Sequence, residues 1–325
     1  MTRPKIGLAL GSGGARGWTQ IGILEALTSY GIVPDIVCGT SIGALVGAAF
    51  VTGKLAALKT KMESFGRRQV AAMFDVHLTS GGLIEGRRIE NFLDDLGIAG
   101  DIEALHVRFG AVATELMSGR EIWLQKGPIG RAVRASVGIP GILSPTKHED
   151  EGWLVDGGLL NPVPVSLARA LGADVVIAVR VNSYPFEPTA ARGESGTSAT
   201  PARALTMPQW LGDAVNPILD RVFRGGPQYP SYFEVLSNSL DIMEDRITRM
   251  RLAGDPPDVL LRPALDGYSW LDFHRAKEAI AAGHACVDAA GRTIRQVCGL
   301  GSKPALDNGP KPNATAAAKE NSNDR

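Results

Sequence analysis

The first apolar block of the chain, residues 5–10, is a short continuous run that stops at a glycine cluster. That is the pattern of a strand buried on both faces of a parallel sheet. Beyond the cluster, Ile21, Leu24 and Leu27 recur at helical spacing, and Gly31 closes that helix. Residues 35–38 repeat the strand pattern. Gly39 to Gly43 form a turn, and residues 42–52 read as an apolar, alanine-rich helix ended by Gly53. Strand, loop, helix, strand, turn, helix predicts two parallel strands whose C-terminal ends share one edge of a sheet.

The alternation continues. Residues 87–96 read as a helix ended by Gly97, and 108–115 with 120–124 as a hairpin around Ser118 and Gly119. Residues 130–137 predict a short helix ahead of Pro140. Residues 153–155 predict a brief strand stopped by Asp156-Gly157-Gly158, followed by a helix over 165–171 and a strand over 174–181. The expected fold class is α/β, with a mixed or mostly parallel central sheet. Residues 185–206, rich in Pro, Ala, Gly, Ser and Thr, read as a mobile loop. Residues 209–250 are mainly helical in pattern, interrupted by Pro217, Pro227 and Pro230. A strand over 259–262 and a long helical stretch over 271–298 follow. One domain over 1–300 is expected, with a polar, disordered tail over 301–325.

Composition narrows the classes. The 34 basic and 34 acidic residues cancel, which argues against a nucleic-acid partner. The three cysteines, Cys38, Cys286 and Cys298, have no CxxC spacing. Neither a disulfide framework nor a zinc site is expected, and a cytoplasmic setting fits. The apolar run over 42–51 is half of the roughly 20 residues that a membrane span needs. Peripheral membrane contact stays compatible with the sequence. Met207-Pro-Gln-Trp210-Leu-Gly212 is a candidate interfacial lid, although Trp210 packed on the core explains the segment equally well.

The chemistry gathers at the strand ends. Gly39-Thr40-Ser41-Ile42-Gly43 is a GxSxG turn between a strand and a helix, the setting of a nucleophile elbow. The following helix N-terminus favours developing negative charge there. The cluster Gly11-Ser12-Gly13-Gly14-Ala15-Arg16-Gly17 ends the neighbouring strand and can aim backbone N–H groups at an oxyanion beside Ser41. Arg16 adds positive charge or orients the loop. A nucleotide phosphate loop fits poorly, because no Gly-Lys-Ser/Thr follows the cluster. A serine hydroxyl needs a base. His77, His106, His148, His274 and His284 lack an obvious catalytic context, whereas Asp156 sits at a third strand end before two glycines. Asp-Gly-Gly is also a common turn.

Taken in order, the glycine cluster, the GxSxG turn and Asp156-Gly157-Gly158 resemble the three motifs of patatin-like phospholipases. Ala135-Ser-Val-Gly-Ile-Pro-Gly-Ile-Leu-Ser-Pro145 resembles the family's stretch ahead of its aspartate. Ala253-Gly-Asp-Pro-Pro-Asp-Val259 and Leu271-Asp-Phe-His-Arg-Ala276 resemble the bacterial RssA-type branch, related to the catalytic part of neuropathy target esterase. The resemblance implies a three-layer α/β/α sandwich and a Ser41–Asp156 dyad without histidine. It implies an oxyanion hole within Gly11 to Gly17, an acyl-enzyme, and no metal or cofactor. The implied substrate is a phospholipid or another fatty-acyl ester. Two alternatives stand beside it: an esterase with a Ser41, Asp156 and His274 or His284 triad, and a weakly active regulatory protein on the same fold.

Overall fold

The computed structural model describes residues 3–66, 87–181 and 232–300. The expected loop over 185–206, the Met207 to Gly212 segment and the tail over 301–325 lie outside them. The chain enters through β1 (Ile6–Leu10), every residue of which is buried. A 3-10 turn (Gly14–Trp18) leads into α1 (Thr19–Ser29). Then come β2 (Ile36–Thr40), α2 (Ile42–Val51), α3 (Leu55–Glu63) and α4 (Arg87–Asp95). The middle holds β3 (Arg108–Glu115), β4 (Glu121–Leu124), α5 (Ile129–Ser136), β5 (Thr146–His148) and β6 (Gly152–Asp156). The last part holds α6 (Val165–Ala170), β7 (Val175–Val179), α7 (Tyr232–Gly254), β8 (Val259–Leu261) and α8 (Ala276–Val297).

The strands form one sheet in the order β5-β6-β3-β2-β1-β7-β8, with β4 also paired to β3. The run from β3 to β8 is parallel, and β4, β5 and β6 are antiparallel additions. Side chains alternate between two helical layers, as strand geometry requires. Leu8 and Leu10 join the large core under α1, α2 and α8, while Ala9 joins a smaller one with Val165, Leu167 and Ala168 of α6. The fold is therefore a three-layer α/β/α sandwich with a mostly parallel sheet. Helices α1 and α8 touch backbone to backbone: a Cβ on Gly22 would lie 2.0 Å from the Ile280 carbonyl oxygen.

Two expectations change in detail. The last helix starts at Ala276, after a 3-10 turn over Phe273–Arg275. Asp272 holds that turn by accepting from the Ser269 N–H at 2.9 Å and from Arg275 at 3.1 Å. Strand β5 was not expected; Thr146-Lys147-His148 has no apolar residue to mark it as a strand.

The register of β3 brings two strand ends together. β2 pairs with residues 108–112 of β3, and β6 pairs with residues 113–115. β4 pairs with residues 111–114 and so holds the opposite edge. Hence β2 and β6 lie end to end along the same edge of β3. β2 runs parallel to β3 and β6 antiparallel, so their C-terminal ends meet. Thr40 sits opposite Val112, and Asp156 opposite Ala113.

Candidate active site

Ser41 follows Thr40 at that junction. Its φ is 56°, the one positive value of a non-glycine residue among those described. Such a backbone costs about 1–2 kcal/mol and persists only where its surroundings enforce it. Ser136 supplies part of that enforcement. The Ser41 N–H donates to Ser136 Oγ at 2.9 Å, and Ser136 Oγ–H donates to the Val112 carbonyl at 2.6 Å. The glycines of the turn are needed for space. A Cβ on Gly43 would lie 2.1 Å from the Leu10 carbonyl oxygen, and one on Gly39 would lie 2.4 Å from the Ala44 nitrogen.

Across the junction, Ser41 Oγ–H donates to Asp156 Oδ2 at 2.6 Å. The other carboxylate oxygen accepts from the Gly158 N–H at 2.7 Å. The Asp156 backbone is fixed by its N–H to the Gly138 carbonyl at 2.9 Å and by Thr114 Oγ1–H to its own carbonyl at 3.0 Å. A Cβ on Gly157 would strike the Val112 carbonyl oxygen at 2.3 Å. Ser41 and Asp156 are 5% and 4% exposed, so they interact with little water between them. Burial pushes the Asp156 carboxyl up to about 6, and the hydrogen bonds from Ser41 and Gly158 limit the rise. At neutral pH it is ionised, and it is more basic than an exposed aspartate.

The structure narrows the expected oxyanion loop. The Gly11 N–H bonds the Val179 carbonyl at 3.1 Å, and that of Ser12 bonds Pro162 at 2.8 Å. Ala15 bonds Trp270 at 2.7 Å, and Arg16 bonds Gly13 at 3.2 Å. These four amides are committed inside the fold. Gly17 has a packing role, since a Cβ there would lie 2.2 Å from Ile42 Cγ2. Gly13 (φ 149°) and Gly14 (φ 56°) line the cleft beside Ser41, and their N–H groups have no acceptor among the described residues. The Arg16 guanidinium grips the Asp241 carboxylate at 2.9 and 3.0 Å and reaches the Tyr268 carbonyl at 3.3 Å, so it orients the loop.

The far wall of the cleft was invisible in the sequence. Ser237, Leu240, Asp241 and Glu244 of α7 face the serine, and Ile139, Pro140, Leu159 and Trp270 complete an apolar rim. The cleft is narrow, with a cavity volume of about 40 Å³. Glu244 Oε2 accepts from Ser12 Oγ at 2.8 Å. Burial first, and the neighbouring Asp156 charge second, push Glu244 up to about 8. No motif surrounds Glu244 that could have flagged it. Ser136 sat inside a recognised stretch without an assigned role.

The motifs of the C-terminal third are structural. Asp258 accepts from the Val176 N–H at 2.8 Å and meets Arg169 at 3.2 Å, away from the cleft. Among the described residues no histidine lines the cleft. His284 pairs with Glu25 at 2.9 Å where α8 crosses α1, and His274 belongs to the 3-10 turn before α8. His77 lies outside the described residues. No group of three or more His, Cys, Asp and Glu among the described residues is arranged to hold a metal ion.

A strained serine after a central strand, bonded to a buried aspartate and flanked by a glycine loop, defines a hydrolase-type site on an α/β/α sandwich. The patatin-like phospholipase family model matches residues 8–169, which include all three motifs. An NTE family protein of Mycobacterium tuberculosis is 31% identical over 326 residues, covering 87% of this chain and 90% of the relative. Patatin-like phospholipase domain-containing protein 7 of Rattus norvegicus is 29% identical, covering 87% of this chain and 20% of its own length. Lysophospholipase NTE1 of Phaeosphaeria nodorum is 30% identical, covering 86% and 18%. The chain belongs to the NTE family of patatin-like phospholipases, and its class of activity is lipid ester hydrolysis. No helix among the described residues is long and apolar enough to cross a membrane.

Proposed function

We propose that this chain cleaves a fatty-acyl ester of a phospholipid or lysophospholipid through an acyl-enzyme on Ser41, with Asp156 as the base. The observation that carries the reading is the 2.6 Å hydrogen bond from Ser41 Oγ to a carboxylate whose basicity is raised by burial. The Asp156 carboxylate takes the Ser41 proton as Oγ bonds to the ester carbonyl carbon. The carbonyl oxygen gains the displaced electron pair and is met by the Gly13 and Gly14 amides. Collapse of this tetrahedral species breaks the bond to the alcohol, which leaves with the proton held by Asp156. A water molecule repeats the sequence on the acyl-enzyme: Asp156 accepts its proton, and the fatty acid is released as Ser41 regains its own. The apolar rim of Ile139, Pro140, Leu159 and Trp270 fits an acyl chain beside the reacting carbonyl.

Such a substrate resides in a bilayer or micelle, so the reading includes peripheral contact with a lipid surface. The test is hydrolysis of a p-nitrophenyl acyl ester and of lysophospholipid by wild type, Ser41→Ala and Asp156→Asn. Both variants should be inactive, and stoichiometric labelling of Ser41 by a fluorophosphonate should disappear in Ser41→Ala. Turnover by Ser41→Ala equal to wild type would overturn the proposal.

A further inference from the structure

Glu244 is separated from Ser12 by 232 residues of sequence, yet its carboxyl reaches into the cleft. One oxygen takes the Ser12 hydroxyl at 2.8 Å. The other lies 2.4 Å from where a Cβ on Gly158 would stand, so it packs against the backbone unit whose N–H holds Asp156. One side chain therefore touches both the glycine loop and the aspartate turn. The groups facing it are Asp156 from the end of β6, Asp241 from its own helix, and Ser12 and Arg16 from the loop after β1. Arg16, the cation among them, is gripped by Asp241. Two carboxylates in one cleft do not both ionise cheaply. Asp156 keeps its charge because Ser41 and Gly158 both donate to it.

We propose that Glu244 is a positioning residue for the Ser41–Asp156 pair, whose carboxyl fixes the glycine loop through Ser12 and the aspartate turn through Gly158. The inference rests on the Ser41–Asp156 reading above and deepens it. Its consequence is an upper pH limit. Glu244 ionises only near 8. Once charged, it sets a second negative charge beside Asp156 and opposes the oxyanion forming at Gly13 and Gly14. The rate should therefore fall above that pH, although serine attack by a general base otherwise improves or stays level there.

The experiment is a pH profile of kcat/KM from 5 to 10 on a water-soluble p-nitrophenyl ester, for wild type, Glu244→Gln and Glu244→Leu. Glutamine is uncharged and still accepts from Ser12. Leucine does neither job of the acid. Wild type should lose about tenfold per pH unit above 8, as one ionisation does. Glu244→Leu should lose roughly tenfold or more in kcat at pH 7, with KM little changed. Glu244→Gln should recover most of that loss and should lack the alkaline fall. A wild-type profile flat to pH 10 would overturn the inference. So would a Glu244→Gln profile with the wild-type fall, or a Glu244→Gln as impaired as Glu244→Leu. Ser41→Ala is measured alongside; wild-type turnover by it would overturn the dyad reading and this inference with it.

Discussion

Two walls face each other across the cleft, and they are built by different means. The first comprises Gly13, Gly14, Ser41 and Asp156, and the backbone places it. Parallel pairing sets β1 beside β2, and the shared edge of β3 brings the ends of β2 and β6 together. The second wall is α7, which is tied on by side chains. Arg16 holds Asp241, Ser12 holds Glu244, Arg180 holds Asp245 and Arg251 holds Glu121. A sheet ladder fixes reacting atoms closely, as bond-making chemistry demands. A side-chain-tied helix can adjust charge and shape without moving the nucleophile. On the proposed mechanism the reacting groups sit on the first wall, and the second tunes them.

If that division is right, the largest losses come from the strand-end wall. Ser41→Ala should lower kcat on an activated ester by about 10⁴-fold or more, and Asp156→Asn by nearly as much. Wild-type kcat/KM should rise as pH increases through about 6, because Asp156 must be ionised to take the proton. The same residue gives a stability prediction of opposite sign. Its folded value lies above the usual aspartate value of 3.8, so the folded state holds the proton more tightly than the unfolded chain. The stability of the protonated form is present below that value and is lost as pH rises through about 6. Asp156→Asn should therefore melt a few degrees higher than wild type at pH 8. A lower melting temperature would mean that the charge of Asp156 stabilises the fold.

Gly13→Ala comes next. A Cβ at φ 149° strains the loop and displaces an amide, and the expected loss is roughly 10²-fold in kcat with little change in KM. On the α7 wall the effects shrink. Asp241→Asn weakens the grip on Arg16, and its two hydrogen bonds at 2.9 and 3.0 Å are partly replaced by the amide oxygen. A loss of about three- to tenfold in kcat is expected. A loss as large as that of Gly13→Ala would erase the distinction between the walls.

The contrast also explains what was legible in the sequence. The strand-end wall was readable because backbone demands leave a local signature. Gly39 and Gly43 are there since a Cβ would strike neighbouring backbone, and Asp156 is followed by Gly157 for the same reason. The alternation of strands and helices followed from unbroken apolar runs such as Ile6–Leu10. The sequence of the glycine loop does not tell which of its amides the fold uses. Carbonyls of Val179, Pro162 and Trp270 take three of them from far along the chain. The α7 wall left no signature, since Asp241 and Glu244 act through partners distant in sequence, among them Arg16 and Ser12 more than two hundred residues away.

Helix α7 misleads a pattern reading in a further way. Ser237, Asp245 and Thr248 are buried on its inner side, with Asp245 paired to Arg180. Val235, Ile242, Met243 and Met250 stand 44% to 75% exposed on its outer side. Hydrophobic periodicity assigns apolar residues to the core; here Leu236 and Leu252 do pack inward, and polar Ser237, Asp245 and Thr248 go inward with them because that face meets a polar cleft and a buried arginine, while a second apolar stripe stays in solvent. The smallest expected effect tests that outward stripe. Met250→Ser removes an outward side chain that is 75% exposed and should shift stability by less than about 0.5 kcal/mol, with kcat on a soluble ester unchanged. Ser237→Leu, on the buried side, should cost roughly 1–3 kcal/mol by overpacking and should reduce activity, since Ser237 lines the cleft. Thermal unfolding of the two variants side by side decides it. A Met250→Ser as destabilised as Ser237→Leu would place the apolar stripe in the interior and turn α7 around.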